Sequence, residues 1–139
     1  MNVSNAPESI ETVLIADNDP AVNSLLVEVL KSQGLHCESV FDGGAAWQRV
    51  IAGGVAVLVT DLDMPEVDGR ELVQRIAGLP DPPRTLVVSG YLDAQLEQEL
   101  RSNGVLHVLR KPFDVMEFAE RVRGALKHAG ARASDTGGA

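Results

Sequence analysis

The sequence predicts an α/β fold: a doubly wound, five-stranded parallel sheet flanked by five helices. Three observations carry this. Short apolar runs recur at 12–16, 35–41, 55–60, 85–88 and 105–109. Between them, apolar residues repeat at three- and four-residue spacing, which is the helical period. Asp, Asn, Gly and Pro punctuate the junctions, so strands and helices alternate along the chain. Alternation of this kind requires a parallel sheet covered on both faces by right-handed crossovers.

Each element has its own reason. Residues 1–11 are polar, carry Pro7 and show no period, and are expected to form a loose N-terminal tail. Thr12 to Ala16 form the first strand. Asp19 followed by Pro20 is a helix start, a side-chain cap before proline at the first helical position. Val22, Leu25, Leu26, Val29 and Leu30 then give one apolar face, and Gly34 ends the helix. Leu35 to Phe41 form the second strand, interrupted by His36 and Glu38. Asp42 caps a helix bearing Trp47, Val50 and Ile51, which closes at Gly53-Gly54.

Val55 to Thr60 form the central strand. Five consecutive apolar residues rich in Val suit a strand buried on both faces. Asp68, with Glu71 three residues on, resembles a capping box, and Leu72, Val73 and Ile76 supply that helix with an apolar face. Pro80, Pro82 and Pro83 make a stiff connection to the fourth strand, Thr85 to Val88. Asp93 caps a helix with Leu96 and Leu100, supported by the Glu97–Arg101 pair. Asn103-Gly104 turns into the fifth strand, Val105 to Leu109. Asp114 caps the last helix, Phe113 can staple onto Phe118, and Val115, Phe118, Val122 and Leu126 form its buried stripe. Residues 129–139 are small and polar and are expected to be disordered.

Composition narrows the function. The chain has 139 residues, 45% hydrophobic and 23% charged, which fits one globular domain. Asp and Glu outnumber Lys and Arg by 20 to 12, giving a formal charge of −8. Direct nucleic-acid binding would need a basic face. Cys37 is the only cysteine, so neither an internal disulfide nor a cysteine metal cluster can form. No run is apolar enough for membrane insertion, and the N-terminus lacks a signal-peptide pattern, so a cytoplasmic location is expected.

The chemistry collects at the strand ends. Asp17, Asn18 and Asp19 follow the first strand, Asp61 and Asp63 the third, Ser89 the fourth and Lys111 the fifth. One Asp there could merely cap a loop. Acids, a hydroxyl and an ammonium at four strand ends suit a shared site, because ligands bind at the carboxyl edge of such sheets. Clustered carboxylates repel one another unless a hard divalent cation joins them, and Mg2+ accepts carboxylates together with phosphate oxygens.

Taken together, the acidic end of the first strand, Asp61 followed by Met64-Pro65 and Asp68-Gly69, Ser89-Gly90, and Lys111-Pro112-Phe113 resemble the receiver domain of two-component response regulators, the CheY-like family. The resemblance covers roughly residues 11–127, and the domain is expected over 12–128. It implies a flavodoxin-like sheet with strand order 2-1-3-4-5. It implies that Asp61 is the phosphoacceptor, served by a sensor histidine kinase or a histidine phosphotransfer protein. Mg2+ would be held by Asp17, Asn18, Asp61 and the backbone carbonyl of Asp63. Ser89 and Lys111 would contact the phosphoryl oxygens. A cis bond before Pro112 is expected, as is a signalling role rather than that of an enzyme: a receiver that promotes its own phosphorylation and dephosphorylation. The output would be a downstream protein target, with a phosphorylation-dependent dimer as one form.

Two residues depart from the family pattern. Asn18 stands where the family has a second acid, and Val108 stands where it often has Tyr or Phe. Both favour an alternative, a pseudo-receiver that binds partners without phosphorylation. A second alternative is an Mg-dependent aspartate-nucleophile phosphatase of the haloacid-dehalogenase kind, suggested by Asp61-Leu62-Asp63. That family carries its motif on an early strand and usually adds a cap domain.

Overall fold

A computed structural model describes residues 10–138, with side chains to residue 127. The element order is β1 (Thr12–Ala16), α1 (Pro20–Ser32), β2 (His36–Val40), α2 (Gly43–Ile51), β3 (Val55–Thr60), α3 (Gly69–Ala77), β4 (Arg84–Ser89), α4 (Ala94–Ser102), β5 (Val105–Arg110) and α5 (Val115–Gly138). All strand pairs are parallel. The sheet order is β2-β1-β3-β4-β5, as the resemblance implies.

Side-chain alternation along the strands divides the core into two layers. Val13, Ile15, Val57, Val59, Leu86 and Val88 point to one face and pack on Leu26 and Leu30 of α1 and Phe118 and Val122 of α5. Leu14, Ala16 and Leu58 point to the other and meet Ala46 and Val50 of α2 and Leu72 and Ile76 of α3. Val87 continues that face toward Leu100 of α4. Leu58 is fully buried in the central strand, where truncation to Ala typically costs about 2–5 kcal/mol.

The expected helix starts are formed. The side chains of Asp19, Asp42, Asp68 and Asp93 each accept a hydrogen bond from a first-turn amide. Asp114 does the same for α5 by accepting from Met116 and Glu117, and the Phe113 ring lies 5.7 Å from that of Phe118. Gly34 has φ +79° and closes α1: its amide donates to Lys31 and that of Leu35 to Leu30, a Schellman arrangement.

Three expectations need correction or qualification. Leu25 and Ile51 do not join the core; each is 49% exposed. On α1 the buried stripe runs through Asn23, Leu26 and Leu30, which leaves Leu25 on its flank. α5 continues through the stretch from 129 that its polarity marks as a disordered tail. That stretch carries Ala129, Ala131 and Ala133, and alanine is the strongest helix former. The N-terminal tail expectation falls almost wholly on residues 1–9, outside the described residues.

Candidate functional site

The sheet register brings the charged residues together. Ala16 lies abreast of Val40 on one side and Thr60 on the other. The hydrogen-bond ladder then continues one residue past the strands. Asp17 donates its amide to Val40 O at 3.3 Å, and Asp61 donates to Ala16 O at 3.0 Å. Lys111 donates to Ser89 O at 2.8 Å. Asp17, Asp61 and Lys111 are therefore each pinned by one extra rung rather than carried on a free loop. The Lys111–Pro112 bond is cis, as expected.

The side chains converge. Lys111 Nζ lies 3.0 Å from Asp61 Oδ2 and 3.2 Å from Asp17 Oδ2. Asp61 Oδ1 accepts from the amides of Leu62 at 2.7 Å and Asp63 at 3.3 Å. Asp17 Oδ1 accepts from the Asp19 amide at 2.9 Å. Asp17 is only 2% exposed, and burial pushes its carboxyl above the usual aspartate range despite the nearby ammonium. Burial works against the charge of Lys111 too, but the hydrogen bond and attraction from Asp61, then those from Asp17, hold its ammonium above the usual lysine range.

The remaining residues line the rim. Ser89 is buried, and its hydroxyl is occupied by the backbone of Tyr91: it donates to the carbonyl at 3.1 Å and accepts from the amide at 3.3 Å. Ser89, Asp61, Asp63, Tyr91, Arg70 and Lys111 all line one open depression of about 650 Å3. Asp63 is exposed there; Asn18 is also exposed but is not among the residues lining the depression.

The loop from β3 to α3 holds the acidic edge in shape. A Cβ on Gly69 would stand 2.2 Å from Asp61 O, and one on Gly43 would stand 1.6 Å from Val67 O. Only glycine permits these approaches. Between them Glu66 takes φ +70°, an uncommon conformation for a residue with a side chain.

The donor set suits Mg2+. The set that the resemblance implies consists of hard oxygens: the Asp17 and Asp61 carboxylates, the Asn18 amide and the Asp63 carbonyl. The space between the carboxylates already accepts one cation, the Lys111 ammonium. Among the described residues, no group of three or more His, Cys, Asp or Glu side chains converges on a metal-sized position.

Two residues escaped the sequence reading. Asn23 is buried inside the apolar stripe of α1, and its Nδ2 donates to Asp17 O at 3.1 Å and Val40 O at 2.9 Å. It ties α1 to the ends of β1 and β2. The available signal was a polar residue at a position where the helical period calls for an apolar one. Arg70 is the second residue missed; its ion pair with Glu99 of α4 at 2.8 Å leaves no local mark.

The curated relatives agree with this architecture. CpdR of Brucella abortus is 26% identical over 113 residues, covering 81% of this chain and 94% of that protein. Sporulation initiation phosphotransferase F of Bacillus subtilis is 26% identical, covering 81% and 91%. The transcriptional regulator NtrC of Azospirillum brasilense is 29% identical over 85% of this chain, but the chain spans only 24% of its length. It spans 45% of VirG from Agrobacterium tumefaciens. Among solved structures, a CheY-like receiver domain from Methanospirillum hungatei superposes with a TM-score of 0.83 at 19% identity, covering 89% of this chain and 99% of that one. The beryllofluoride-activated NtrC4 receiver domain dimer superposes at 0.78 with 24% identity, covering 85% and 98%. The family model for the response regulator receiver domain matches residues 13–123, and the chain belongs to that family of CheY-like two-component signalling domains.

Proposed function

We propose that Asp61 is the phosphoacceptor of this receiver, taking a phosphoryl group from a phosphohistidine of a sensor histidine kinase or a histidine phosphotransfer protein. The observation that supports this is the contact of Asp61 with Lys111 at the end of the central strand, beside Asp17. One Asp61 oxygen attacks phosphorus, the P–N bond breaks, and the freed imidazole keeps the electron pair and takes a proton. Phosphoryl transfer needs positioning and charge neutralisation more than a protein base. The backbone amides of Leu62 and Asp63 orient the nucleophile. Lys111 follows the charge from Asp61 to the phosphoryl oxygens, and Ser89 donates its hydroxyl to them.

Asp17, Asn18, Asp61 and the carbonyl of Asp63 would hold Mg2+. Bound there, Mg2+ neutralises charge that builds on the phosphoryl oxygens. The signalling role is to switch a protein-interaction surface toward a downstream target, with a phosphorylation-dependent dimer as one outcome. The same site would promote loss of the phosphoryl group to water. We place the receiver over 12–128 and the protein in the cytoplasm, and assign it neither direct nucleic-acid contact nor membrane insertion. Among the described residues, no helix is long and apolar enough to cross a membrane.

Incubation with acetyl phosphate or phosphoramidate and Mg2+, read by intact mass, tests this. One added phosphoryl group is expected on the wild type and none on Asp61→Asn, with the fold retained. Retained labelling of Asp61→Asn overturns the assignment. Asn18 favours a second reading, partner binding without phosphorylation; a wild type that takes neither the phosphoryl group nor beryllofluoride with Mg2+ establishes that reading instead.

A further inference from the structure

The mouth of the site has a charge imbalance. A phosphodonor arrives as an anion, yet the depression over Asp61 is also lined by Asp63 and Asp68. Lys111 and Arg70 are the cations on its wall. Lys111 is already engaged by Asp61 and Asp17. Arg70 is the one that the site's own carboxylates leave for an incoming ligand.

Arg70 is also placed to act. It follows Gly69, whose amide donates to Leu62 O at 2.8 Å, so its backbone is fixed beside that of the nucleophile. Its side chain is 54% exposed. The guanidinium reaches across to α4, where Nη2 lies 2.8 and 2.9 Å from the Glu99 carboxylate oxygens and Nε lies 3.2 Å from one of them. The Leu96 amide, the Tyr91 hydroxyl and the Gln95 amide hold the neighbouring Asp93 carboxyl low, and Arg70 adds the smallest share. A half-exposed ion pair contributes little, typically about 0–1 kcal/mol. Exchanging Glu99 for another anionic partner is therefore cheap. The planar fork that grips the carboxylate fits phosphate oxygens equally well.

We propose that Arg70 is the donor-recruiting residue of this site: its guanidinium draws the anionic phosphodonor into the depression over Asp61, and Glu99 tempers that pull by competing for the same fork. Arg70 acts on the encounter and not on the bond-making atoms, so its effect is a salt-sensitive rate. The inference rests on Asp61 being the phosphoacceptor.

The test is the second-order rate constant for labelling by acetyl phosphate with Mg2+, read by intact mass at about 20 mM and about 500 mM salt, where the Debye length falls from roughly 20 Å to about 4 Å. Arg70→Ala should slow labelling about tenfold at low salt, the small end of steering effects, and approach the wild type at high salt. Arg70→Lys should keep part of the rate. Glu99→Gln breaks the same ion pair but leaves the cation, so it should speed labelling at low salt. If Arg70→Ala and Glu99→Gln slow labelling alike, the pair serves only to join α3 and α4, and the proposal fails. It fails equally if the Arg70→Ala deficit is the same at both salts, or if there is none, and the role of Asp61 then stands unaffected. A wild type that takes no label removes the phosphoacceptor reading and this inference with it.

Discussion

Replacing Gly69 by alanine is a one-atom test of how the site is held. The new Cβ would lie 2.2 Å from Asp61 O and 2.4 Å from Leu62 Cα, where ordinary contact begins near 3.4 Å. Both obstacles are backbone, so no side-chain rotation relieves them. The start of α3 and the end of β3 must part by about 1 Å, which also strains the 2.8 Å bond from the Gly69 amide to Leu62 O. Overpacking of this kind costs about 1–3 kcal/mol. For a domain of this size that lowers Tm by roughly 3–12 °C. The functional loss should be larger in proportion, because the backbone displaced is that of the nucleophile. A shift of about 1 Å at a reacting group can cost about 100-fold in rate. Gly124→Ala is the control: its Cβ meets nothing within 4 Å, and α5 should gain about 0.5–1 kcal/mol. Thermal melts by circular dichroism and labelling by acetyl phosphate measure both effects. A Gly69→Ala protein with wild-type Tm and wild-type labelling would show that the strand end yields without consequence.

Other residues allow equally direct tests. Asn18→Asp adds a carboxylate to the acidic edge; a divalent ion at contact distance in water gains about 2 kcal/mol from one such charge. Mg2+ should therefore bind more than tenfold tighter by calorimetry, while the metal-free protein becomes less stable, and unchanged or weaker affinity contradicts this. Glu38 is hydrogen-bonded to Arg49 through two contacts of 2.7 and 3.2 Å, which holds its carboxyl below the usual value of 4.5. The folded form then binds its proton less readily than the unfolded chain, so the pair stabilises above about pH 4.5 and that contribution is lost as the pH falls through the lowered value. Glu38→Gln should cost about 0.2–1 kcal/mol at pH 7, as for an exposed pair, and match the wild type in urea melts well below pH 4; a constant deficit at every pH refutes the pairing. Tyr91 is 68% exposed and bonds Asp93 through its hydroxyl, so its ring stands at the edge of the depression. If it shields the acyl phosphate from water by about 0.5–1 kcal/mol, Tyr91→Ala shortens the phosphorylated lifetime about two- to fivefold. Val108→Ala should scarcely alter it, and equal lifetimes for Tyr91→Ala and the wild type remove Tyr91 from the switch.

The elements were largely legible because the rules that specify them are local, whereas the strand order came from the family resemblance. Five Asp residues sit where a helix must begin, and the four that precede α1 to α4 all cap as their spacing predicts. The β3 run Val55 to Thr60 reads as buried on both faces because neither face carries a charge. Leu25 shows the boundary of such reasoning. Periodicity places it on the apolar side, but the width of the buried stripe depends on how α1 sits over the sheet, and Asn23 occupies the middle of it. Two tertiary hydrogen bonds fix Asn23 there, and the sequence shows only a polar residue where the helical period calls for an apolar one.

The site was legible in its charges and opaque in its bonds. That Asp17, Asp61 and Lys111 meet follows from strand order and from where each apolar run stops. What Ser89 does before any ligand arrives does not follow. Its hydroxyl is held by both backbone groups of Tyr91, and Leu92 O is held in turn by Arg110 Nη2 at 2.6 Å. A phosphoryl oxygen that takes the Ser89 hydroxyl must take it from Tyr91. The loop from β4 to α4 would then lose one internal bond while its tether to Arg110 remains. Val108 offers no ring to swing, being packed beside the Leu100 and Val105 cluster. If Asp61 carries the phosphoryl group, competition for that one hydroxyl would link it to the Tyr91 segment without an aromatic rotamer on β5.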